Sequence, residues 1–277
     1  MELNWLQSLI LGLVSGLTDI LPMSAQAHQT ILFNFFGSTG EVPVTRLVIH
    51  SAVLLTTLGF LRGRLGQVRR QLRLVRMPRR RRNRPVDMAA LMDARIVRTA
   101  LVPILALLVL YGITRRWNSL PILAAGSLLN ALVLYLPGLF PTADKDSRLV
   151  TPMESLFMGL GTGAAVLPGI SSVGTSYSLG VLHGMDRKYM VHLSLFMHLI
   201  FTAGMMFYDI LDIITQGSVA ADVWAILSWV LAGLSAAFGT TLGLRGLERA
   251  AHKNGLTSFS FYSFGMALLA FILYLMV

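Results

Sequence analysis

Apolar residues run along this chain in long blocks separated by short polar stretches. The blocks 47–61, 99–114, 119–137, 189–211, 220–243 and 257–277 approach the roughly 20 apolar residues that cross a bilayer, and they predict six spans. Two further blocks, 4–36 and 153–183, are equally apolar but broken in the middle, at Leu21-Pro22 and at Leu167-Pro168-Gly169. Each half is only roughly 14–17 residues, short for a span at 1.5 Å per residue. Non-helical backbone at membrane depth is tolerated only inside protein or beside a water-filled cavity. Each broken block therefore predicts a helical hairpin that enters and leaves the membrane on one side.

The two broken blocks resemble each other. SLILGLVSGLTDILP (8–22) aligns with SLFMGLGTGAAVLP (155–168), matching Ser8 with Ser155, Gly12 with Gly159 and Gly16 with Gly163, with the Leu-Pro pairs agreeing after a one-residue gap. Such a repeat divides the chain into 1–137 and 153–277, each a re-entrant hairpin followed by three spans. Three spans between the hairpins make the halves inverted relative to each other, an arrangement that places a polar site near the midplane in many transporters. The expected fold is thus an all-α integral membrane protein with six transmembrane helices and two broken re-entrant hairpins arranged as an inverted repeat.

Composition agrees with this class. Of 277 residues 55% are hydrophobic and only 13% charged, about half the charged share of a soluble domain; the mean hydropathy is +0.67. MELNWLQSLILG lacks a basic n-region and a small-residue cleavage site, so the first helix is expected to remain in the mature protein. There is no cysteine, which excludes disulfides and thiolate chemistry. The net charge of +10 is concentrated: thirteen of the 23 Lys/Arg lie between Arg62 and Arg98. No aromatic residues interleave the run RRQLRLVRMPRRRRNR as a nucleic-acid platform requires, so it predicts no nucleic acid. It reads instead as a cytoplasmic loop, 62–98, facing anionic lipid headgroups. With that loop inside, twenty of the 23 basic residues fall on the cytoplasmic side, and both termini lie outside.

Ionisable residues within or at the ends of membrane segments are costly and mark functional sites by default. Here these are Asp19, His28, His50, His192, His198 and Asp209. Asp19 and His28 flank the first break. The broken loops add the hydroxyls of Ser24, Ser171, Ser172, Thr175 and Ser176, and the helix after Gly169 starts with free amides suited to a phosphate oxygen. His50 stands near the end of its span, within possible approach of Asp19 and His28. His192 and His198, in HLSLFMH, have no evident partner and read as packed residues. Together these features predict a phosphate or phosphate-ester site.

GLVSGLTDILPMSAQAH (12–28) resembles the first signature of the bacterial undecaprenyl-pyrophosphate phosphatases of the bacitracin-resistance type, roughly Glu-Gly-x-Thr-Glu-Phe-Leu-Pro-x-Ser-Ser-x-x-His. LPGISSVGTS (167–176) resembles the second, roughly Pro-Gly-x-Ser-Arg-Ser-x-x-Thr, and GMDRKYMVHLSLFM resembles the Gly-x-x-Arg stretch beyond it. The resemblance implies interdigitated inverted repeats and removal of a phosphate from undecaprenyl pyrophosphate in the bacterial plasma membrane, the product being the lipid carrier of cell-wall synthesis. It implies catalytic roles for His28 and Asp19. Ser24, Gly169, Ser171, Ser172, Ser176 and Arg187 become candidate phosphate-binding residues. A divalent cation, Mg²⁺ or Ca²⁺, is expected, with Asp19 and His50 as its candidate ligands. A second copy of the chain is a candidate partner.

The chain also departs from those signatures. Ser15 and Ala25 replace the first glutamate and the second serine, and Ser172 stands where the family has an arginine that clamps phosphate. Losing one such electrostatic donor typically costs about 10²–10³ in rate. Two readings follow: a phosphatase acting on polyprenyl diphosphate, or a non-hydrolytic polyprenyl-phosphate binder or flippase on the same scaffold.

Overall fold

A computed structural model describes residues 3–37, 42–78, 86–114, 119–141, 144–145, 147–216, 222–253 and 255–276. Among them the chain is helical, with one isolated bridge pair, Lys145 and Met185, and no strand. The first broken block is α1 (Trp5–Ile20) and α2 (Ala25–Phe36); α3 (Pro43–Arg76), α4 (Met88–Thr114) and α5 (Leu120–Tyr135) follow. The second is α6 (Pro152–Gly163) and α7 (Ser172–Leu182), ahead of α8 (Arg187–Gln216), α9 (Val223–Lys253) and α10 (Ser258–Met276). Six helices, α3, α4, α5 with the turn after it, α8, α9 and α10, are long and apolar enough to cross a membrane. The protein is a multi-pass membrane protein.

The expected spans are right in number, and four of them, 47–61, 99–114, 189–211 and 220–243, are shorter than the helices α3, α4, α8 and α9 that contain them or most of them. Residues 62–98 were expected as a loop, yet α3 continues to Arg76 and α4 begins at Met88; residues 79–85 lie outside the described ones. Arg, Leu and Gln are good helix formers, and charge alone does not end a helix; α3 stops just before Pro78, which disfavours helix at the preceding residue. At 34 residues α3 is about 51 Å long, well beyond a hydrocarbon core of about 30 Å. Its far end presents Arg62, Arg69, Arg70, Arg73 and Arg76 at the surface.

Both hairpins begin with the same device. Asn4 accepts from the Gln7 amide while the Gln7 side chain accepts from the Asn4 amide, and Thr151 and Glu154 make the same reciprocal pair at the start of α6. The Glu154 carboxylate also takes both oxygens to Lys145 Nζ, at 2.6 and 2.8 Å.

Helices from the two halves of the sequence interleave. α1 packs most extensively on α9, α5 on α10, α4 on α6, and α3 on both α8 and α9. Small residues make the closest crossing. A methyl added at Gly16 would run into the Ala236 carbonyl, and one at Gly12 into the Ala232 carbonyl, so only glycine lets α1 and α9 approach this far. The shared core includes Leu11, Ile49, Val53, Ile104, Met158, Tyr177, Leu195 and Ala236, which belong to seven different helices.

Candidate functional site

The two breaks meet in the interior. At the first, α1 ends at Ile20, Leu21 turns extended, and Ser24 takes φ 62° and ψ 103°, the one non-glycine positive φ among the described residues. At the second, a 3₁₀ turn (Ala164–Val166) leads through Leu167 and Pro168 to Gly169 at φ 96°, a value that L side chains rarely adopt. Ser24 Oγ accepts from the Gly169 amide at 3.2 Å, joining the breaks directly. Asn130 on α5 joins them again: its Nδ2 donates to the Pro22 carbonyl at 3.2 Å and to Ser263 Oγ at 2.9 Å, and its Oδ1 accepts from the Ser171 amide at 3.0 Å. Asn130 is fully buried. Nothing in its surroundings, NALVLY, singles it out beyond being an amide in an apolar span.

Beside this junction lies a polar cavity of about 20 Å³, room for roughly one water. Asp19, Ser24, Gln29, His50, Ser171 and Ser172 contribute its polar lining, with Ala25, Ile170, Phe201 and Met205 among the rest. Ser171 caps α7, its hydroxyl accepting from the Gly174 amide at 3.1 Å. Gln29 Nε2 donates to Ser15 Oγ at 3.0 Å, tying α1 to α2 beside the cavity.

Two imidazoles reach the cavity region: His50, expected there as a cation ligand, and His198, read from the sequence as a packed residue. His50 Nδ1 bonds Asp209 Oδ2 at 2.5 Å; Arg46 Nε bonds the other Asp209 oxygen at 3.2 Å and its Nη2 bonds Asp212 at 2.7 Å. His198, fully buried on α8, sits behind Ser172: Ser172 Oγ and His198 Nδ1 are 2.7 Å apart. His198 Nε2 faces Asp19 Oδ2 at 3.6 Å and Thr202 Oγ1 at 3.1 Å. The reading of His198 as a packed residue without a partner is therefore corrected. No sequence motif joins positions 19, 172 and 198; only the fold does.

Other expected site residues lie elsewhere. His28 does not line the cavity: its Nδ1 donates to the Ser24 carbonyl at 2.8 Å, and its Nε2 accepts from the Tyr262 hydroxyl at 2.5 Å. Its ring stacks on Tyr262, 5.7 Å between centroids. Nε2 thus holds α2 against α10, while Nδ1 closes on the N-cap of α2 itself. Ser176 is fully buried and back-bonds the Ser172 carbonyl at 2.8 Å, and Thr175 bonds the Gly161 carbonyl at 2.6 Å, tying α7 to α6. Arg187 begins α8 at the other end, beside Gly255, about 16 Å along the helix from His198.

Asp19 and His50, the expected cation ligands, both line the cavity, but among the described residues no three His, Cys, Asp or Glu side chains form a metal-holding group. Mg²⁺ and Ca²⁺ take oxygen ligands, and Asp19 is the one carboxylate in the lining. These residues do not by themselves make a cation cage.

Comparison with known proteins bears on what this junction serves. The family described as bacitracin resistance protein BacA matches residues 8–269. Curated relatives include an undecaprenyl-diphosphatase of Carboxydothermus hydrogenoformans, 25% identical over 260 residues and covering 94% of each chain. Another, of Methanobrevibacter smithii, is 25% identical over 281 residues and covers 96% of each. A third, of a Nocardioides species, is 28% identical over 190 residues, 67% of each.

Proposed function

Because the chain belongs to the bacitracin resistance protein BacA family, we propose that it is a membrane phosphatase that removes the terminal phosphate of a polyprenyl diphosphate carrier lipid. The observation that carries this reading is the junction of the two breaks. Asn130 and the Ser24–Gly169 bond bring a carboxylate, an imidazole and the start of α7 to one polar cavity, with a second imidazole, His198, directly behind Ser172. The amides of Ser172 and Val173, in the first turn of α7, supply the positive end of a helix dipole for phosphate oxygens.

The cavity holds about one water in this state, so a phosphate enters only when the hairpins part. Orientation follows the positive-inside rule: the arginine-rich end of α3 faces the cytoplasm of a bacterial cell, and Arg46, His50 and Asp209 lie toward the outer face of its plasma membrane. We read residues 1–137 and 153–277 as inverted repeats. Helix pairing supports this, since exchanging the halves turns α1 on α9 into α6 on α4 and leaves α5 on α10 and α3 on α8 unchanged. The basic end of α3 faces anionic headgroups in this placement, and a second copy of the chain is a partner this reading allows.

A second cavity favours an alternative. About 300 Å³ in volume, it is lined by Arg64, Asp87, Asp93, Lys145 and Tyr189, with Tyr189 donating to Asp93. A polar cavity at the interior junction and a second toward the arginine-rich end of α3 suit a flippase that passes the phosphate headgroup between them by alternating access. Phosphate release from undecaprenyl diphosphate by detergent-purified protein, with Mg²⁺, Ca²⁺ or chelator, separates the two. Release supports the phosphatase. Binding without release, together with transbilayer movement of the lipid in proteoliposomes, supports the flippase, and neither activity refutes both.

A further inference from the structure

The chain lacks the family's phosphate-clamping arginine at position 172, and the side chain that stands there is not idle. Ser172 lines the cavity, and its hydroxyl bonds His198 at 2.7 Å. The proton positions follow from the partners. His198 Nε2 bonds the Thr202 hydroxyl at 3.1 Å, which can accept, and faces the Asp19 carboxylate at 3.6 Å, which only accepts; both neighbours favour hydrogen on Nε2. The opposite nitrogen, Nδ1, of the neutral ring is then an acceptor, and the Ser172 hydroxyl donates to it. Nucleophile, base and a third group aligned on the far side of the base are the arrangement that activates a serine. Ser172, His198 and Asp19 come from α7, α8 and α1, and α7 begins at Ser172 itself, beside the cavity.

We propose that Ser172 is the nucleophile of this protein, with His198 as its base and Asp19 as the group that stabilises protonated His198. The proposal rests on the phosphatase reading and deepens it. In the first step Ser172 Oγ forms a bond to the terminal phosphorus of the polyprenyl diphosphate. The bond from that phosphorus to the bridging oxygen breaks, and the electron pair leaves with polyprenyl monophosphate. The serine proton passes to His198 Nδ1, and the resulting cation is held by the Asp19 carboxylate across 3.6 Å. His198 then returns the proton to the departing phosphate. In the second step His198 takes a proton from water, the water oxygen attacks phosphorus, the P–Oγ bond breaks with its electron pair on Oγ, and His198 passes the proton to Oγ. Inorganic phosphate leaves, and Ser172 recovers its hydroxyl. Water is the only co-reactant.

The arrangement separates this chain from relatives with arginine at that position. An arginine there stabilises charge on the phosphoryl group, whereas Ser172 with His198 forms a covalent bond to it. Ser172→Arg is therefore expected to abolish turnover rather than enhance it.

Two probes test the proposal on detergent-purified full-length protein. The first is farnesyl diphosphate labelled in its terminal phosphate, quenched in acid within one turnover. An acid-stable, base-labile label on the peptide containing Ser172 is expected, absent in Ser172→Ala, with turnover in His198→Gln reduced about 10²–10⁴-fold. The second is an alkyl fluorophosphonate, which reports an activated serine without any phosphatase turnover; it is expected to modify Ser172 and to do so far more slowly in His198→Gln. Thermal melting confirms that each variant is folded. Hydrolysis at the wild-type rate in folded Ser172→Ala, faster hydrolysis in Ser172→Arg, or an acid-labile label on a histidine overturns the nucleophile and leaves the phosphatase standing. Fluorophosphonate modification of Ser172 in a protein that hydrolyses no diphosphate upholds the activated serine and refutes the phosphatase reading. No hydrolysis and no modification refute both.

Discussion

Ser24 Oγ and the Gly169 amide are 3.2 Å apart, a direct bond between two breaks that lie 145 residues from each other in sequence. Ser24 makes that bond from a backbone at φ 62°, where a residue with a Cβ is strained by on the order of 1–3 kcal/mol. The two effects can be separated. Ser24→Ala keeps the strain and loses the hydroxyl, and it is expected to melt several degrees below wild type. Ser24→Gly loses the hydroxyl but relieves the strain, and it is expected to melt between the two.

Asn130 serves the same junction from α5. Replacing it with leucine orphans the Ser171 amide and the Pro22 carbonyl in a buried place, at about 1–3 kcal/mol for each unsatisfied group. We expect a lower melting temperature and phosphate release reduced at least about tenfold. Wild-type release in Asn130→Leu would show that the junction does not position the chemistry.

The Gly16 crossing sets how closely α1 approaches α9. Gly16→Ala forces a methyl against the Ala236 carbonyl and is expected to cost about 1–3 kcal/mol; Gly16→Val is expected to prevent assembly. Melting and monodispersity in detergent are the readouts. Substitution at Gly59, whose added Cβ would meet nothing within 4 Å, is the control.

Asp209 holds both Arg46 and His50. Asp209→Asn leaves two basic side chains sharing a neutral partner in a largely buried place, and breaking such a pair costs about 3–5 kcal/mol. The expected result is a marked loss of melting temperature. A double variant, Asp209→Asn with Arg46→Gln, recovers part of it.

At the other end, partial burial alone would raise the Glu154 carboxyl. The Lys145 ammonium and the Thr151 amide outweigh it and hold the group below the usual glutamate range. A depressed folded-state value contributes stability that is fully present above about pH 4.3, the ordinary glutamate value, and is lost as pH falls through the depressed value. Wild type should lose more melting temperature between pH 6 and pH 3 than Glu154→Gln does. Equal loss in both proteins would show that the ion pair adds nothing.

The number of spans, the two broken hairpins and Asp19, Ser171 and Ser172 as cavity residues were legible because they follow from local properties: apolar run length, a Leu-Pro break, a serine at a helix start. The ends of α3 and α4 were not, because arginine disfavours membrane but favours helix, and hydropathy reports only the first. His28 was misplaced for a different reason. A motif fixes its position on α2 but not which side of α2 faces the cavity, and Tyr262, 234 residues away, decides that. His198 and Asn130 were invisible as site residues because their partners come from other helices.

The pairing of α1 with α9 also governs how the protein is made. Synthesis at about 5–20 residues per second leaves α1 without its chief partner for roughly 10–40 s, while the chain from Leu21 to Asp222 emerges. Throughout that interval a 16-residue helix too short to span the bilayer carries Asp19 beside a polar, strained turn. The nascent hairpin therefore depends on the insertion machinery to shelter it, and its final seat is made only when the second half arrives.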